Sequence, residues 1–304
     1  MGEDGFKEAD LGENKFRNEN FSEQDFGNME ITVVGLGLIG GSYAWGLRNL
    51  KPRKIWAVDI NQDVLREAEK LGAIDGGFRT GKIPLAQSDL VIICLYPDLA
   101  VKFVRDNMSN FKKGAVLTDA VGNKQVVINE LRASLRADLD FVGGHPLAGK
   151  ESSGFAQASP AIFRDANYIL TPVQGNKASS LVLLQNMIKG LGCREPIYLT
   201  PEEHDKIIAY SSQLPHVLAA ALINSCRLSG IGKLIGGSFR DVTRVAAMNA
   251  SLWAELLLGN KENILTELEI FRDNIESIQS AIQNENRAEL IELLQKAAAI
   301  KKDL

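Results

Sequence analysis

Between Ile31 and Gly40 the chain reads Ile-Thr-Val-Val-Gly-Leu-Gly-Leu-Ile-Gly, an apolar strand that ends in G-x-G-x-x-G and runs into a helical stretch from about Leu38 to Asn49. Few short segments restrict a fold as much. Gly35 permits the tight turn, Gly37 lets the backbone approach a pyrophosphate, and Gly40 allows close helix–strand packing. The helix start then offers unpaired N–H groups and the positive end of its dipole to an anion. Glycines at this spacing also occur in ordinary strand–helix turns, so the context decides. A second strand, Lys54–Val58, ends at Asp59, roughly 20 residues after the third glycine, where a carboxylate can accept both hydroxyls of an adenosine ribose. The competing reading of Asp59 is a helix N-cap, because Asn61 and Asp63 open another helix. The spacing favours a dinucleotide site built from Gly35, Leu36, Gly37, Leu38, Ile39, Gly40 and Asp59, with Leu95 assigned to it at the end of the apolar run Leu90–Leu95.

Asp59 also discriminates between dinucleotides. Its charge would face the 2′-phosphate of NADP, and neither Ile60 nor Asn61 brings a compensating cation, so NAD is expected.

With 304 residues and 45% hydrophobic content, the chain can build two domains with ample cores. No apolar run reads as a membrane span, since the longest uncharged stretches carry glycine or polar residues. Cys94, Cys193 and Cys226 are far apart with no C-x-x-C pairing. Disulfides and zinc are therefore not expected, each cysteine reads as a small buried hydrophobe, and a reducing cytoplasm fits. The net charge is −4, and Met1–Asn28, with eight acids against three bases, holds −5 of it, which leaves +1 for the remainder. A nearly neutral remainder has no basic face on which to bind nucleic acid. Residues 1–28 have no aliphatic core pattern, with Phe16, Phe21 and Phe26 spaced five apart in polar surroundings, and lack both the basic start and the apolar segment of a signal peptide. They read as a disordered acidic tail.

From 29 to 199 strand and helix patterns alternate. Apolar strands are expected at 31–34, 55–58, 90–95, 115–118, 139–142, 168–170 and 196–199, and helices at 62–71, 124–136 and 178–190 among others. Alternation of this kind implies a Rossmann-type, mostly parallel α/β sheet covered on both faces, in which the later strands could run either way. From 200 to 304 the pattern is helical throughout. Thr200-Pro201-Glu202-Glu203 is a helix start with a capping threonine, proline at the first position and glutamate three residues after the cap. Pro215 should kink this first helix. Apolar positions recur after Glu262 beyond what one packed face requires, so the all-α domain is expected to close a substrate cleft and to pair with a second copy.

Only three histidines are available for proton transfer. His145 lies in Val142-Gly143-Gly144-His145-Pro146, just after a predicted strand, at the edge where open α/β sheets bind ligands. His216 follows Pro215, beside Ser211, Ser212 and Gln213, while His204, among acids in a first helical turn, reads as a surface or interface residue. No two are spaced for a metal, and none is expected.

Three blocks carry a resemblance. Gly143-Gly144-His145-Pro146-Leu147-Ala148-Gly149 followed by Glu151-Ser152-Ser153-Gly154, then Ser212-Gln213-Leu214-Pro215-His216, then Gly236-Gly237-Ser238-Phe239-Arg240-Asp241-Val242-Thr243-Arg244 are similar to the signature blocks of the prephenate and arogenate dehydrogenases of tyrosine biosynthesis. The likeness runs from about Met29 to the C-terminus. It implies an NAD-dependent oxidative decarboxylation of prephenate to 4-hydroxyphenylpyruvate, or of arogenate, by a homodimer joined through the helical domain. The resemblance implies His145 as the base that takes the ring-hydroxyl proton and Arg244 as the bidentate carboxylate clamp, with Arg240 a second candidate. By position, His216 and Ser212 would orient the substrate, and Trp253 matches an aromatic of the cleft. An ion pair with Asp241 is the plainer reading of either arginine, and a core position that of Trp253. The family commonly has a serine within a D-x-x-S-x-K pattern after the fourth strand. Here Thr118-Asp119-Ala120-Val121-Gly122-Asn123-Lys124 puts Gly122 in its place, and Thr118, Asn123 or a water are the candidates to replace the hydroxyl. Two rivals stay open: another two-domain NAD oxidoreductase of the β-hydroxyacid dehydrogenase or imine reductase type, and a low-activity NAD-binding regulator.

Overall fold

A computed structural model of the chain describes residues 26–150 and 152–303. The expected tail falls mostly outside them, as does Glu151 of the first motif block. Its last part does not: Phe26 is 2% exposed and packs into the main core, so the folded unit begins before Met29. A ring in polar sequence surroundings carries no periodic signal, yet there is a pocket for it.

One eight-stranded sheet forms the centre, in the order β3-β2-β1-β4-β5-β6-β7-β8. Strands β1 (Glu30–Val34), β2 (Lys54–Val58), β3 (Gly76–Phe78), β4 (Leu90–Ile93), β5 (Val116–Asp119) and β6 (Asp140–Pro146) run parallel. Strand β7 (Tyr168–Thr171) is antiparallel to β6, and β8 (Ile197–Tyr198) is parallel to β7. The sheet is buried on both faces because successive residues serve opposite cores. Val33 and Ile92 join one apolar cluster, whereas Val34 and Ile93 join the other. Strand β3 has no apolar run to betray it. Gly76 and Gly77 fit there because a Cβ would stand 2.7 Å from the Trp56 ring and 2.8 Å from Leu65. The helices that cover the sheet include α1 (Leu38–Leu47), α2 (Gln62–Lys70), α3 (Pro97–Asp106), α4 (Gln125–Arg132) and α5 (Ala178–Gly190). The reversal of order at β1 and β4 leaves a crevice at their carboxyl ends, the usual ligand position in such sheets.

The helical part begins with α6 (Pro201–Ile208). Its capping box is formed: Glu203 N–H donates to Thr200 Oγ1 at 3.2 Å, and Thr200 N–H donates to Glu203 Oε2 at 2.8 Å. The helix carries an irregularity just before Pro215, where a kink is expected. A π-helical segment, Ala209–Gln213, precedes α7 (Leu214–Asn224), and the widened turn accommodates the missing proline donor within one continuous helix. By length and composition the stretch Pro201–Asn224 could cross a membrane, which corrects the reading that none does. Its interior polar residues His204, Asp205 and Gln213 are hydrogen-bonded within the fold. Then follow α8 (Gly237–Thr243), α9 (Ala250–Gly259), α10 (Lys261–Gln283) and α11 (Arg287–Asp303). These last helices bury little: only Ile264 and Ala281 on α10, and nothing on α11, although Ile270, Ile275, Ile282, Ile291 and Leu294 are apolar.

The cysteines divide. Burial holds the Cys94 thiol far above its ordinary range and pushes Cys193 up to about 11. Cys226, expected buried, is exposed, because the loop after α7 leaves the core.

Candidate active site

The glycine loop answers three separate demands. Gly35 has φ +87°, and a Cβ there would stand 2.6 Å from the carbonyl oxygen of Cys94 and 2.9 Å from Leu95. Gly40 lies so close under the loop that a Cβ would meet the Gly35 carbonyl oxygen at 1.8 Å. Gly37 has open space in front of it, with nothing within 4 Å of a Cβ position. No side chain caps the start of α1, at Leu38 and Ile39, so its N–H groups face that opening. Asp59 is not a helix cap. Asn61 takes that role, its side chain accepting from Asp63 and Val64 N–H. The Asp59 carboxylate instead accepts from Leu36 N–H at 2.7 Å and Asn61 N–H at 2.8 Å, which fixes it against the loop. An open face, an uncapped helix start and an acidic group beside them fit a dinucleotide.

His145 belongs to β6 rather than following it. The strand continues to Pro146 because β7 pairs antiparallel with Gly143–Pro146, opposing Ile169 to His145. Gly144 is required beneath it, since a Cβ would lie 2.8 Å from Thr118 Oγ1, the Asp119 carbonyl oxygen and the Tyr168 hydroxyl. Gly144 N–H donates to Asp119 Oδ1 at 3.0 Å, and Val121 N–H donates to Oδ2 at 3.0 Å. Lys124, with no exposed surface, pairs with Asp119 and donates to the Val121 carbonyl at 2.6 Å. Two buried charges are tolerated because they pair and each makes a further hydrogen bond to the backbone; truncating one would cost about 3–5 kcal/mol.

The position of His204 overturns its surface reading. It is completely buried, with Nε2 2.9 Å from His145 Nδ1 and Nδ1 2.7 Å from Asp205 Oδ1. Asp205 in turn accepts from Lys124 N–H (2.8 Å) and Gln125 N–H (2.9 Å), binding α6 to the start of α4. The acids around His204 suggest solvent, but two of them face inward to caps. Burial first, then His204 and Lys124, hold the half-buried His145 well below its ordinary pKa. Burial also lowers His204, with Lys124 reinforcing it and Asp205 opposing it. Both shifts favour the neutral imidazole at neutral pH.

Helix α9 gathers the rest. Trp253 stacks on His216. One turn later Leu256 covers Gly122, where a Cβ would stand 2.9 Å from Leu256 Cδ2. His216 Nδ1 lies 2.8 Å from the Ser212 carbonyl, an acceptor, so it donates there. Burial lowers the His216 pKa, and the Ser212 bond opposes it. Asn123 donates to the Leu256 carbonyl at 2.9 Å and accepts from Gln213 at 3.1 Å, while Asn260 donates to Gln213 at 2.9 Å and to the Asp205 carbonyl at 2.7 Å. Asn123 is thereby committed to joining the domains, and the buried Thr118 hydroxyl has no partner among the described residues. Neither holds His145; His204 does. Arg240 on α8 and Arg244 in the following 3-10 turn are exposed, and that turn packs against α7, the helix of His216. Among the described residues no group of three or more His, Cys, Asp or Glu side chains could hold a metal.

A histidine held at Nδ1 by a second, buried histidine, near the carboxyl end of a strand in the sheet that carries the glycine loop, is equipped to take a proton from an alcohol as it is oxidised. Comparison with known proteins agrees in both halves. Residues 44–197 match the family described as prephenate dehydrogenase, nucleotide-binding domain, and residues 200–296 the corresponding dimerization domain. Prephenate dehydrogenase of Bacillus subtilis (strain 168) is 32% identical over 267 residues, 86% of this chain and 72% of that protein. The crystal structure of prephenate dehydrogenase from A. aeolicus with hydroxyphenyl propionate and NAD+ is 29% identical, with TM-score 0.83 over 90% of this chain and 98% of that one. Synechocystis arogenate dehydrogenase is 27% identical, with TM-score 0.77 over 90% of this chain and 99% of that one. In sequence, in fold and in the order of its two domains, the chain belongs to the prephenate dehydrogenase family.

Proposed function

We propose that this chain is an NAD-dependent prephenate dehydrogenase that converts prephenate to 4-hydroxyphenylpyruvate in tyrosine biosynthesis. The observation that carries the reading is His145: half-buried, held well below its ordinary pKa by burial, engaged at Nδ1 by His204 and with no hydrogen bond at Nε2 among the described residues. NAD supplies the hydride acceptor when bound, held by Gly35–Gly40, Asp59 and Leu95. His145 Nε2 accepts the proton of the ring hydroxyl, so that no protonated ketone has to form, and the loss of carbon dioxide then gains aromaticity. Arg244 holds a substrate carboxylate in its planar fork, with Arg240 beside it. His216, Ser212 and Trp253 orient the ring and side chain, and Gly122 borders the reacting end. The units are 29–199 for the cofactor and 200–304 for substrate closure and dimerisation, and the setting is the cytoplasm. The unburied apolar positions of α10 and α11 support a homodimer, in which a second copy, not lipid or nucleic acid, covers them. Steady-state NADH formation with prephenate and with arogenate tests the activity. Turnover of prephenate is expected; turnover of arogenate alone would move the assignment to arogenate dehydrogenase, and turnover of neither would refute it.

A further inference from the structure

With glycine at 122 and both Thr118 and Asn123 unable to hold the base, the orientation of His145 has to come from the other side of the ring. We propose that His204 and Asp205 are positioning residues that fix His145 as the tautomer with its proton on Nδ1 and its lone pair on Nε2.

The assignment follows from counting donors and acceptors along a buried chain. Both Asp205 oxygens already accept backbone N–H groups, from Lys124 and Gln125, so the carboxylate is anchored as an acceptor. His204 Nδ1, 2.7 Å from Oδ1, must therefore carry a proton. A neutral ring has only one, so His204 Nε2 is a bare acceptor. His145 Nδ1, 2.9 Å away, must then donate, and the lone pair of His145 falls on Nε2. The neutrality on which this depends has a cause on every side. His204 faces Lys124, which disfavours its charge, and Asp205 and Asp119, which favour it, while burial outweighs them. His145 faces His204 and Lys124 as well as its own burial, all acting in one direction. The opposite tautomer would set two lone pairs against each other at 2.9 Å inside the protein. When His145 takes the substrate proton, the same chain stabilises the imidazolium through His204 toward Asp205, as a carboxylate behind a catalytic histidine does in acyl transfer.

The proposal rests on His145 being the base, so its test is divided. Nitrogen-15 NMR of the histidine-labelled full chain, without substrate, should show His145 protonated on Nδ1 and bare on Nε2 near neutral pH. In the NAD-loaded enzyme, His204→Met fills the space with only a weakly accepting thioether and nothing to donate to Asp205; kcat for prephenate should fall roughly 10- to 100-fold while KM for NAD stays put. His204→Gln, which can accept from His145 and donate to Asp205, should recover most of that loss. A purely structural role predicts instead that both variants lose activity in step with their melting temperatures. A parent His145 protonated on Nε2, a His204→Met enzyme within about twofold of the parent, or a Gln variant no better than Met would each overturn the proposal. An enzyme that oxidises neither prephenate nor arogenate would refute the activity instead, and the NMR result would still decide the tautomer.

Discussion

Trp253 lies flat against His216, their ring centroids 3.6 Å apart and their planes 24° from parallel. The stack joins two helices that are far apart in sequence. Because His216 Nδ1 donates to the Ser212 carbonyl, its Nε2 is left as an acceptor. The π-helical turn that carries Ser212 sets this geometry, and Leu256 on the same helix as Trp253 closes over Gly122. Trp253→Ala should therefore loosen His216 and raise KM for the substrate more than it lowers kcat, by about 1 kcal/mol or roughly fivefold in KM. It should also let the His216 pKa rise toward its ordinary value, which NMR titration measures. An unchanged KM together with an unchanged pKa would mean that the stack is only packing.

Three histidines held below their ordinary pKa give the fold a definite acid response. The unfolded chain binds protons below about pH 6.5, where the native state does not, so stability rises with pH through that region. It is fully present above the unfolded pKa and is lost as pH falls from there toward the depressed folded values. The melting temperature should drop between pH 7 and 5, and His204→Gln should shallow that drop. The logarithm of kcat/KM should rise with pH through one ionisation below about 6.5, provided chemistry limits the rate. His145→Asn should lower turnover by about 10²–10⁴ with NAD binding retained. A flat profile, or an active Asn variant, would exclude His145 as the base.

How much of this was legible in the sequence depended on distance along the chain. The glycine loop, Asp59 and the capping box at Thr200 are local patterns, and each forms as its spacing requires. His204 is the opposite case. Its partner, His145, lies 59 residues away, and only tertiary packing turns a polar first helical turn inward. The same applies to Lys124, Asp119, Gln213 and Asn260, polar residues whose burial depends on partners in other elements. Strand β3 was hidden because two glycines give no apolar alternation, and β6 extends past its predicted end because β7 supplies an antiparallel neighbour.

Asp59 braces the glycine loop and, in the proposed function, also selects the dinucleotide, and removing it should reveal both. Asp59→Ser deletes the charge that opposes a 2′-phosphate and also the acceptor of Leu36 N–H. The preference for NAD over NADP should narrow, while KM for NAD rises because the loop loses its brace. Initial rates with each cofactor measure both. A parent enzyme faster with NADP at equal concentration would refute this account of Asp59.

Dimerisation can be separated from folding. Ile270, Ile275 and Ile282 are each about half exposed on α10 in the single chain. Light scattering at micromolar concentration should give twice 33.2 kDa. Ile275→Glu, at a position outside the buried core of the single chain, should shift that mass toward the monomer while far-UV circular dichroism stays the same. A monomeric parent would contradict the proposed interface.

Arg244 and Gly122 should divide the kinetic constants between them. In the proposed reaction the carboxylate assigned to Arg244 keeps its charge until late, so the arginine is expected to contribute to binding. Arg244→Lys loses the fork and Arg244→Ala the charge as well, so KM should rise in that order, by about 1.5–3 kcal/mol for alanine. Gly122 is not in the left-handed region, so serine meets no backbone strain there. Its Cβ would instead press on Leu256, a branched side chain that has to rotate, at about 1–3 kcal/mol if the surroundings do not yield. Gly122→Ser should accordingly lower the melting temperature and change kcat while KM for NAD holds, because the loop proposed to bind the dinucleotide is a different one. If Arg244→Ala binds and turns over both substrates like the parent, the carboxylate is held elsewhere. If Gly122→Ser shifts KM for NAD but not kcat, this glycine borders the cofactor and not the reacting carbon.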